Sequence, residues 1–341
     1  MITKEILDKF EGYEKVNVVF LGGSITAGAG ASDKSKCFAN MTGEWLKSAF
    51  GAKRLNYYNK GIGGTPSKYG LIRFKRDVMS CEPHMVFIEF AVNDAGKDTR
   101  EYVEGLIRGL QSLPTKPYVA FLYTTNEDYT TDTTYFNELA QYYGIPEISL
   151  KDALKKHLNG ANALESGYLK DNVHPVDSGY QVYFEEMKRC LSLPECYKRP
   201  LDKEKLVPQT SLFSVDFLPA ITFEKSDGWC AFRNHAQQDY MIGFPGDWFE
   251  FEFDGSVLAI EGGLHGDTCA FDVYCDDVHL GSAEPWWQDF RTNQLALSFF
   301  TSDLEEGHHK VRVVARKSDN PERKSKHICI YNAIVGVKVD V

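Results

Sequence analysis

The stretch VVFLGGSITAGAG (Val18–Gly30) constrains the fold of this chain more than any other. Its first half is apolar without alternation, so a strand made from it is buried on both faces, as strands of a parallel sheet are. Its second half has almost no side chain beyond Ser24, Ile25 and Thr26. Ligands of open parallel sheets bind beyond the carboxyl ends of the strands, where loops lead into helices. Ser24 falls at such an end, and its small neighbours leave its hydroxyl and nearby N–H groups open.

The rest of the first half of the chain repeats the pattern. VNVVFLGG (16–23), KRLNYYNKG (53–61), HMVFIEFAV (84–92), PYVAFLYTT (117–125) and IPEIS (145–149) read as strands. FANMTGEWLKSAF and TREYVEGLIRGLQSL read as helices between them, and a last helix is expected from about Val176 to Cys190. Alternation of this kind predicts an α/β domain, a parallel sheet with helices on both faces. The stretch 191–210 is rich in proline and charge and lacks periodicity, which marks a linker. After it come short alternating runs such as WFEFEFDGSVLAIEG, CAFDVYCDDVHLGSA, HHKVRVVAR and HICIYNAIVGVKV, the texture of an all-β sandwich. The expected division is a catalytic domain at 1–195, a linker at 196–210 and a sandwich at 211–341.

Ser24 fits neither phosphate-loop pattern, G-x-x-x-x-G-K-[ST] or G-x-G-x-x-G. The G-x-S-x-G elbow fails too, because Thr26 stands where its last glycine belongs. A serine nucleophile of another class needs a base. Of the nine histidines, His84 opens a strand at the end away from the ligand side, and His157 sits in an amphipathic stretch. His174 lies in the polar turn KDNVHPVDSGY, three residues after Asp171. That spacing can set the carboxylate on Nδ1 and leave Nε2 to take a proton from a serine, although a capped turn with an exposed histidine has the same sequence. NKGIGGT (59–65) and FAVNDAG (90–96) follow the second and third strands, so both reach the edge that carries Ser24. The N–H groups of Ser24 and Gly64 and the amide of Asn93 are candidate donors to an oxyanion.

These four blocks resemble those of the SGNH (GDSL-like) hydrolases over about residues 16–190. GGSIT resembles the first block, with Ser24 as nucleophile; NKGIGGT the second, with Gly64; AVND the third, with Asn93; and DNVH the last, with Asp171 and His174. Gly23 replaces the aspartate of G-D-S, and Ala91 stands where the third block usually has glycine. The resemblance implies a three-layer α/β/α, flavodoxin-like fold and ester hydrolysis through an acyl-enzyme, with no metal or organic cofactor. The order of a hydrolase and a β-sandwich is similar to carbohydrate esterase family 17 with a jelly-roll module like carbohydrate-binding family 35. That implies removal of acetyl groups from mannan-type, or xylan-type, oligosaccharides.

In the second part, Trp286 and Trp287 of GSAEPWWQDF are candidate sugar platforms, although both could pack into the sandwich. Trp229 and Trp248 read as core. HGDTC and CDDVH do not have the spacing of a zinc site, and Asp267, Asp272 and Asp276 are calcium candidates by composition alone. A net charge of −10 argues against nucleic acid or an anionic membrane as partner. No membrane span is legible, and MITKEILDKFEGYEK has no apolar core of signal-peptide length. Eight scattered cysteines fit reduced thiols, so a cytoplasmic location is expected. The rival readings are a lipase, lysophospholipase or thioesterase on the same scaffold, and a sugar-binding protein whose hydrolase half is a scaffold. The oligomeric state is not legible.

Overall fold

The computed structural model describes residues 2–223, 225–234, 237–286 and 294–340. The chain divides into two compact units. One runs to Leu212 and takes in Asp340; the other is Phe213–Val339.

The first unit is built on five parallel strands: β1 (Val16–Gly22), β2 (Leu55–Gly61), β3 (Met85–Glu89), β4 (Tyr118–Tyr123) and β5 (Glu147–Ser149), in the order β2-β1-β3-β4-β5. β3 is buried along its whole length, because both faces of the sheet are covered. Alternation sends Val16, Val18, Phe20, Met85, Phe87, Ala120, Leu122 and Ile148 to one side. There they pack with Phe38 and Leu46 from the helix Phe38–Phe50, Leu154 from Leu150–His157, and Tyr180, Tyr183 and Met187 from Asp177–Cys190. Val19, Leu21, Val86, Ile88, Val119 and Phe121 are equally buried. Phe136 of the helix Thr134–Tyr143 stands edge-on to Phe121, with ring centroids 5.4 Å apart. This is the α/β/α layering, and each fully buried aliphatic or Phe side chain adds about 1.5–3 kcal/mol to it.

The helices at Phe38–Phe50, Arg100–Ser112 and Asp177–Cys190 lie within a residue of their expected bounds. The strands are shorter than the apolar runs. HMVFIEFAV makes a strand only to Glu89, because Ala91–Asp94 turns into a short helix at the sheet edge. The stretch read as a linker is fastened to the first unit. Tyr197 is buried with its ring 6.0 Å from those of Phe10 and Tyr118, and the Lys198 carbonyl accepts the Val119 N–H at 3.0 Å. The buried Glu104 carboxylate accepts the N–H groups of Leu206 (2.6 Å) and Val207 (2.8 Å) and the Thr210 hydroxyl (2.7 Å).

The second unit is antiparallel. Its strands are β6 (Ser211–Pro219), β7 (Lys225–Asp227), β8 (Cys230–Arg233), β9 (Asp239–Gly243), β10 (Trp248–Gly255), β11 (Val257–Leu264), β12 (Ala270–Cys275), β13 (Val278–Ala283), β14 (Gln294–Thr301), β15 (Gly307–Arg316) and β16 (Ile328–Asp340). One sheet runs β13-β12-β15-β10-β7; the other runs β14-β11-β16-β9-β8, with β6 added beside β16. Phe249, Phe251, Leu258, Ile260, Phe271, Val273, Val311, Val313, Ile330 and Ala333 fill the space between them. β10 and β11 are adjacent in sequence yet belong to different sheets. Gly255, at φ 149°, makes the crossing, and a Cβ there would lie 2.2 Å from the Gly336 carbonyl oxygen. β12 and β13 form the hairpin that CDDVHLG implies, with Asp276 and Asp277 at φ 50° and 65°. Trp229 is core, edge-on to Phe249 at 4.8 Å. Trp248 is not: β10 turns Phe249, Phe251 and Phe253 inward, so Trp248 faces out, half-buried, with the Arg312 guanidinium 4.3 Å from its ring centroid. Among the described residues, no helix is long and apolar enough to cross a membrane.

Candidate active site

β1 ends at Gly22, and the chain turns at Gly23 into the four-residue helix Ser24–Ala27, closed by Gly28 at φ 88°. Ser24 is therefore lifted off the carboxyl end of the strand. Its Oγ lies 2.8 Å from His174 Nε2. His174 Nδ1 in turn lies 2.8 Å from Asp171 Oδ2 and 3.0 Å from Oδ1. Asp171 Oδ1 also accepts the N–H groups of Val173 (3.1 Å) and His174 (2.9 Å), so its carboxylate closes the turn that presents the imidazole. Burial opposes ionisation of Asp171, but these bonds from the His174 ring and the two backbone N–H groups outweigh it and hold the carboxyl below its ordinary range.

The other two blocks converge on the same serine. A Cβ added to Gly23 would lie 2.2 Å from Asn93 Oδ1, so the Asn93 amide packs directly on the backbone before Ser24. Asn93 sits in the short helix Ala91–Asp94. Gly64 is exposed at φ 72°, and a Cβ on its neighbour Gly63 would lie 3.8 Å from Ser24 Cβ. The two loops are tied together by Asp94, whose carboxylate accepts the Ser67 N–H and the Thr99 hydroxyl, each at 3.0 Å. Gly30, at φ 92°, lets the chain after Ser24 lie against the His174 turn. A Cβ there would fall 2.3 Å from the Pro175 carbonyl oxygen.

Several residues that hold this loop do not stand out as site residues in the sequence. Glu89, fully enclosed at the end of β3, accepts the hydroxyls of Thr26 (2.8 Å) and Thr124 (2.7 Å). Burial pushes its carboxyl up to about 7, against the opposing effect of those hydroxyls and of the Thr26 and Gly23 N–H groups. Arg73 has no exposed surface; it donates to the carbonyls of Gly22 (3.0 Å) and Lys60 (2.7 Å) and pairs with Asp77 at 2.9 Å. The Tyr180 hydroxyl lies 3.0 Å from the Ile25 carbonyl and 2.8 Å from that of Ala29. A lone carboxylate inside the apolar run HMVFIEFAV is the one signal that reading the sequence could have used.

The remaining histidines of this unit play no part in the site. His84 Nδ1 accepts the Asn17 N–H at the start of the sheet, and His157 pairs with the Tyr168 hydroxyl at 2.9 Å. In the second unit Trp286 is half-buried. Its Nε1–H donates to the Gly266 carbonyl at 3.0 Å, and the Arg323 guanidinium lies 4.6 Å from the ring centroid. Trp287 lies outside the described residues. Asp267, Asp272 and Asp276 each have their own basic neighbour: Lys326 at 3.2 Å, Arg316 at 2.8 Å and His309 at 2.7 Å. They do not form one oxygen cage of the kind calcium needs. His279 lies against the Tyr274 ring, with centroids 5.1 Å apart.

Residues 20–182 match the GDSL-like Lipase/Acylhydrolase family. Two crystal structures resemble nearly the whole chain. One is a two-domain esterase (CEX) active on acetylated mannans, co-crystallized with mannopentaose. It is 22% identical with a TM-score of 0.79, over 99% of this chain and 94% of that one. The other, also a two-domain esterase (CEX) active on acetylated mannans, is 21% identical with a TM-score of 0.78, over 99% and 95%. At such identity the likeness is one of fold. No curated protein matches the sequence.

Proposed function

We propose that the chain is a carboxylic ester hydrolase, as the match of residues 20–182 to the GDSL-like Lipase/Acylhydrolase family supports, and that it removes O-acetyl groups from mannan-type, or xylan-type, oligosaccharides through a Ser24 acyl-enzyme. The observation that carries the reading is the unbroken hydrogen-bonded line from Ser24 Oγ through His174 to Asp171, each step 2.8 Å.

In this mechanism His174 Nε2 takes the Ser24 proton as Oγ attacks the acetyl carbonyl. The Asp171 carboxylate holds Nδ1–H and stabilises the imidazolium that forms. The Ser24 and Gly64 N–H groups and the Asn93 amide donate to the tetrahedral oxyanion. His174 then gives its proton to the sugar oxygen as the C–O bond to it breaks, so the sugar leaves with a free hydroxyl. Water, deprotonated by the same imidazole, attacks the acetyl-serine and releases acetate.

The acetyl-carbohydrate part of the reading is supported by a likeness of fold to an esterase active on acetylated mannans. Trp286 is the proposed sugar contact in the second unit. The test is acetate release from acetylated manno- and xylo-oligosaccharides by the wild-type protein and by Ser24→Ala. Release that vanishes in the variant, with a serine-directed fluorophosphonate labelling only the wild type, is the expected result. Faster turnover of long-chain aryl esters than of the acetate would move the substrate to lipids. Absence of labelling at Ser24 would remove the catalytic reading.

A further inference from the structure

We propose that the second unit binds one divalent transition-metal ion of the zinc type through His265, Asp267 and His327. A ring nitrogen from each histidine and a carboxylate oxygen of Asp267 all lie within 4.8 Å of one another. Around a tetrahedral ion about 2.0–2.2 Å from each ligand the ligand atoms lie roughly 3.3–3.6 Å apart, so side-chain rotations of about 1 Å bring the three onto one ion.

The backbone already fixes their positions. Thr268 bridges to His327, the Cys269 N–H donates to the His327 carbonyl at 2.8 Å, and the Lys326 N–H donates to the Asp267 carbonyl at 2.8 Å. The Thr268 hydroxyl accepts the His265 N–H at 3.1 Å, which closes the loop. Two histidines and a carboxylate are thus carried on two hydrogen-bonded chain segments about 60 residues apart, a site no local spacing announces.

A second observation comes from the carboxylate itself. Asp267 is 8% exposed, and its buried Oδ1 meets no donor in hydrogen-bonding geometry. The near neighbour of Oδ1 is His265 Nδ1 at 2.8 Å. That nitrogen faces the Asp267 N–H as an acceptor at 3.4 Å. Oδ1 is thus a buried acceptor without a donor, and a cation held jointly with the histidines satisfies it. Lys326 occupies only the outer oxygen, Oδ2, at 3.2 Å, and its side chain is 62% exposed, so it can swing aside.

The donor set selects the ion. Calcium takes six to eight oxygens, whereas two imidazoles and one carboxylate suit zinc and its neighbours and leave a position for water. Among the described residues a second cluster of potential ligands, Cys275, Asp276 and His309, is already closed. His309 meets Asp276 through Nδ1 at 2.7 Å, and its Nε2 is engaged by the Glu305 carbonyl at 2.8 Å. A metal at the first cluster has a structural consequence, because Gly266 lies between two of its ligands and its carbonyl holds the Trp286 indole.

The test uses the full-length protein, stripped with a chelator and titrated with zinc chloride by calorimetry. One equivalent is expected to bind. Asp267→Asn and His327→Ala are each expected to weaken binding about tenfold or more, while Cys275→Ser leaves it unchanged. Cobalt(II) loading of the wild type gives a readout independent of variant folding: visible ligand-field bands without a thiolate-to-cobalt charge-transfer band. No zinc binding by the wild type, tighter binding of calcium than of zinc, or a charge-transfer band abolished by Cys275→Ser would each overturn the assignment.

Discussion

Glu89 and Asn93 are four residues apart and do opposite work beside Ser24. Glu89 is buried without a cation, and its carboxyl is pushed up to about 7 from an ordinary value of 4.5. The folded protein therefore binds more protons than the unfolded chain between those two values. Its stability falls as pH rises through that window and levels off above about 7. The Glu89 contribution is on the order of 3 kcal/mol. Chemical denaturation at pH 5 and pH 8 checks this, since Glu89→Gln is expected to flatten the difference. An unchanged pH dependence would show that the carboxyl ionises freely where it sits. Asn93 packs on Gly23 beside Ser24. In its proposed part as an oxyanion donor its loss acts on the transition state, so Asn93→Ala is expected to lower kcat about 10²–10³-fold and leave KM nearly as it was. A rise in KM alone would make Asn93 a substrate contact instead. Both residues lie in one short run, yet only Asn93 is legible there. Its proposed role follows from a position after a strand, whereas the part Glu89 plays depends on Thr26 and Thr124, distant in sequence.

At the scale of elements, the site is a set of turns at the carboxyl ends of parallel strands. Each turn is short and polar, so its sequence shows where it falls, and GGSIT, NKGIGGT, AVND and DNVH mark them. What the blocks do not display is how tightly they press on one another. Gly30 shows the constraint, with φ 92° and a Cβ position 2.3 Å from the Pro175 oxygen. Gly30→Ala must either strain the backbone or push back the turn that carries His174. The expected cost is about 1–3 kcal/mol of stability, with a loss of kcat larger than that of a surface Gly→Ala such as Gly160→Ala, where nothing lies within 4 Å. Equal effects of the two substitutions would mean that the turn yields freely. The β-strands illustrate the same limit. Trp248 reads as core beside Phe249 and Phe251, but strand alternation turns it outward beneath Arg312.

Across the whole molecule, the two units differ in how readily the sequence exposes them. The change from βα alternation to short alternating runs separates them well. The stretch between them is harder, because proline and charge describe a surface path as well as a free tether. Glu104 decides the matter by gathering Leu206, Val207 and Thr210 onto the helix Arg100–Ser112. Glu104→Ala leaves those donors without their acceptor, and a loss of about 3 kcal/mol or more is expected. Limited proteolysis should then cut between 200 and 212 at protease levels that leave the wild type intact; equal resistance would mean the segment is held by its other contacts. By itself the sequence determined the α/β/α layers and the all-β second part, and it put forward Ser24, Gly64, Asn93, Asp171 and His174 as candidates for one site. Periodicity and turn chemistry act over a few residues and are visible in one pass along the chain. Tertiary structure alone decided which buried groups answer one another: Glu89 with Thr26 and Thr124, Arg73 with Gly22 and Lys60, and His265 and Asp267 with His327. These partners, most of them tens of residues apart, meet only when packing closes the core and an enclosed polar group must find its counterpart inside the protein.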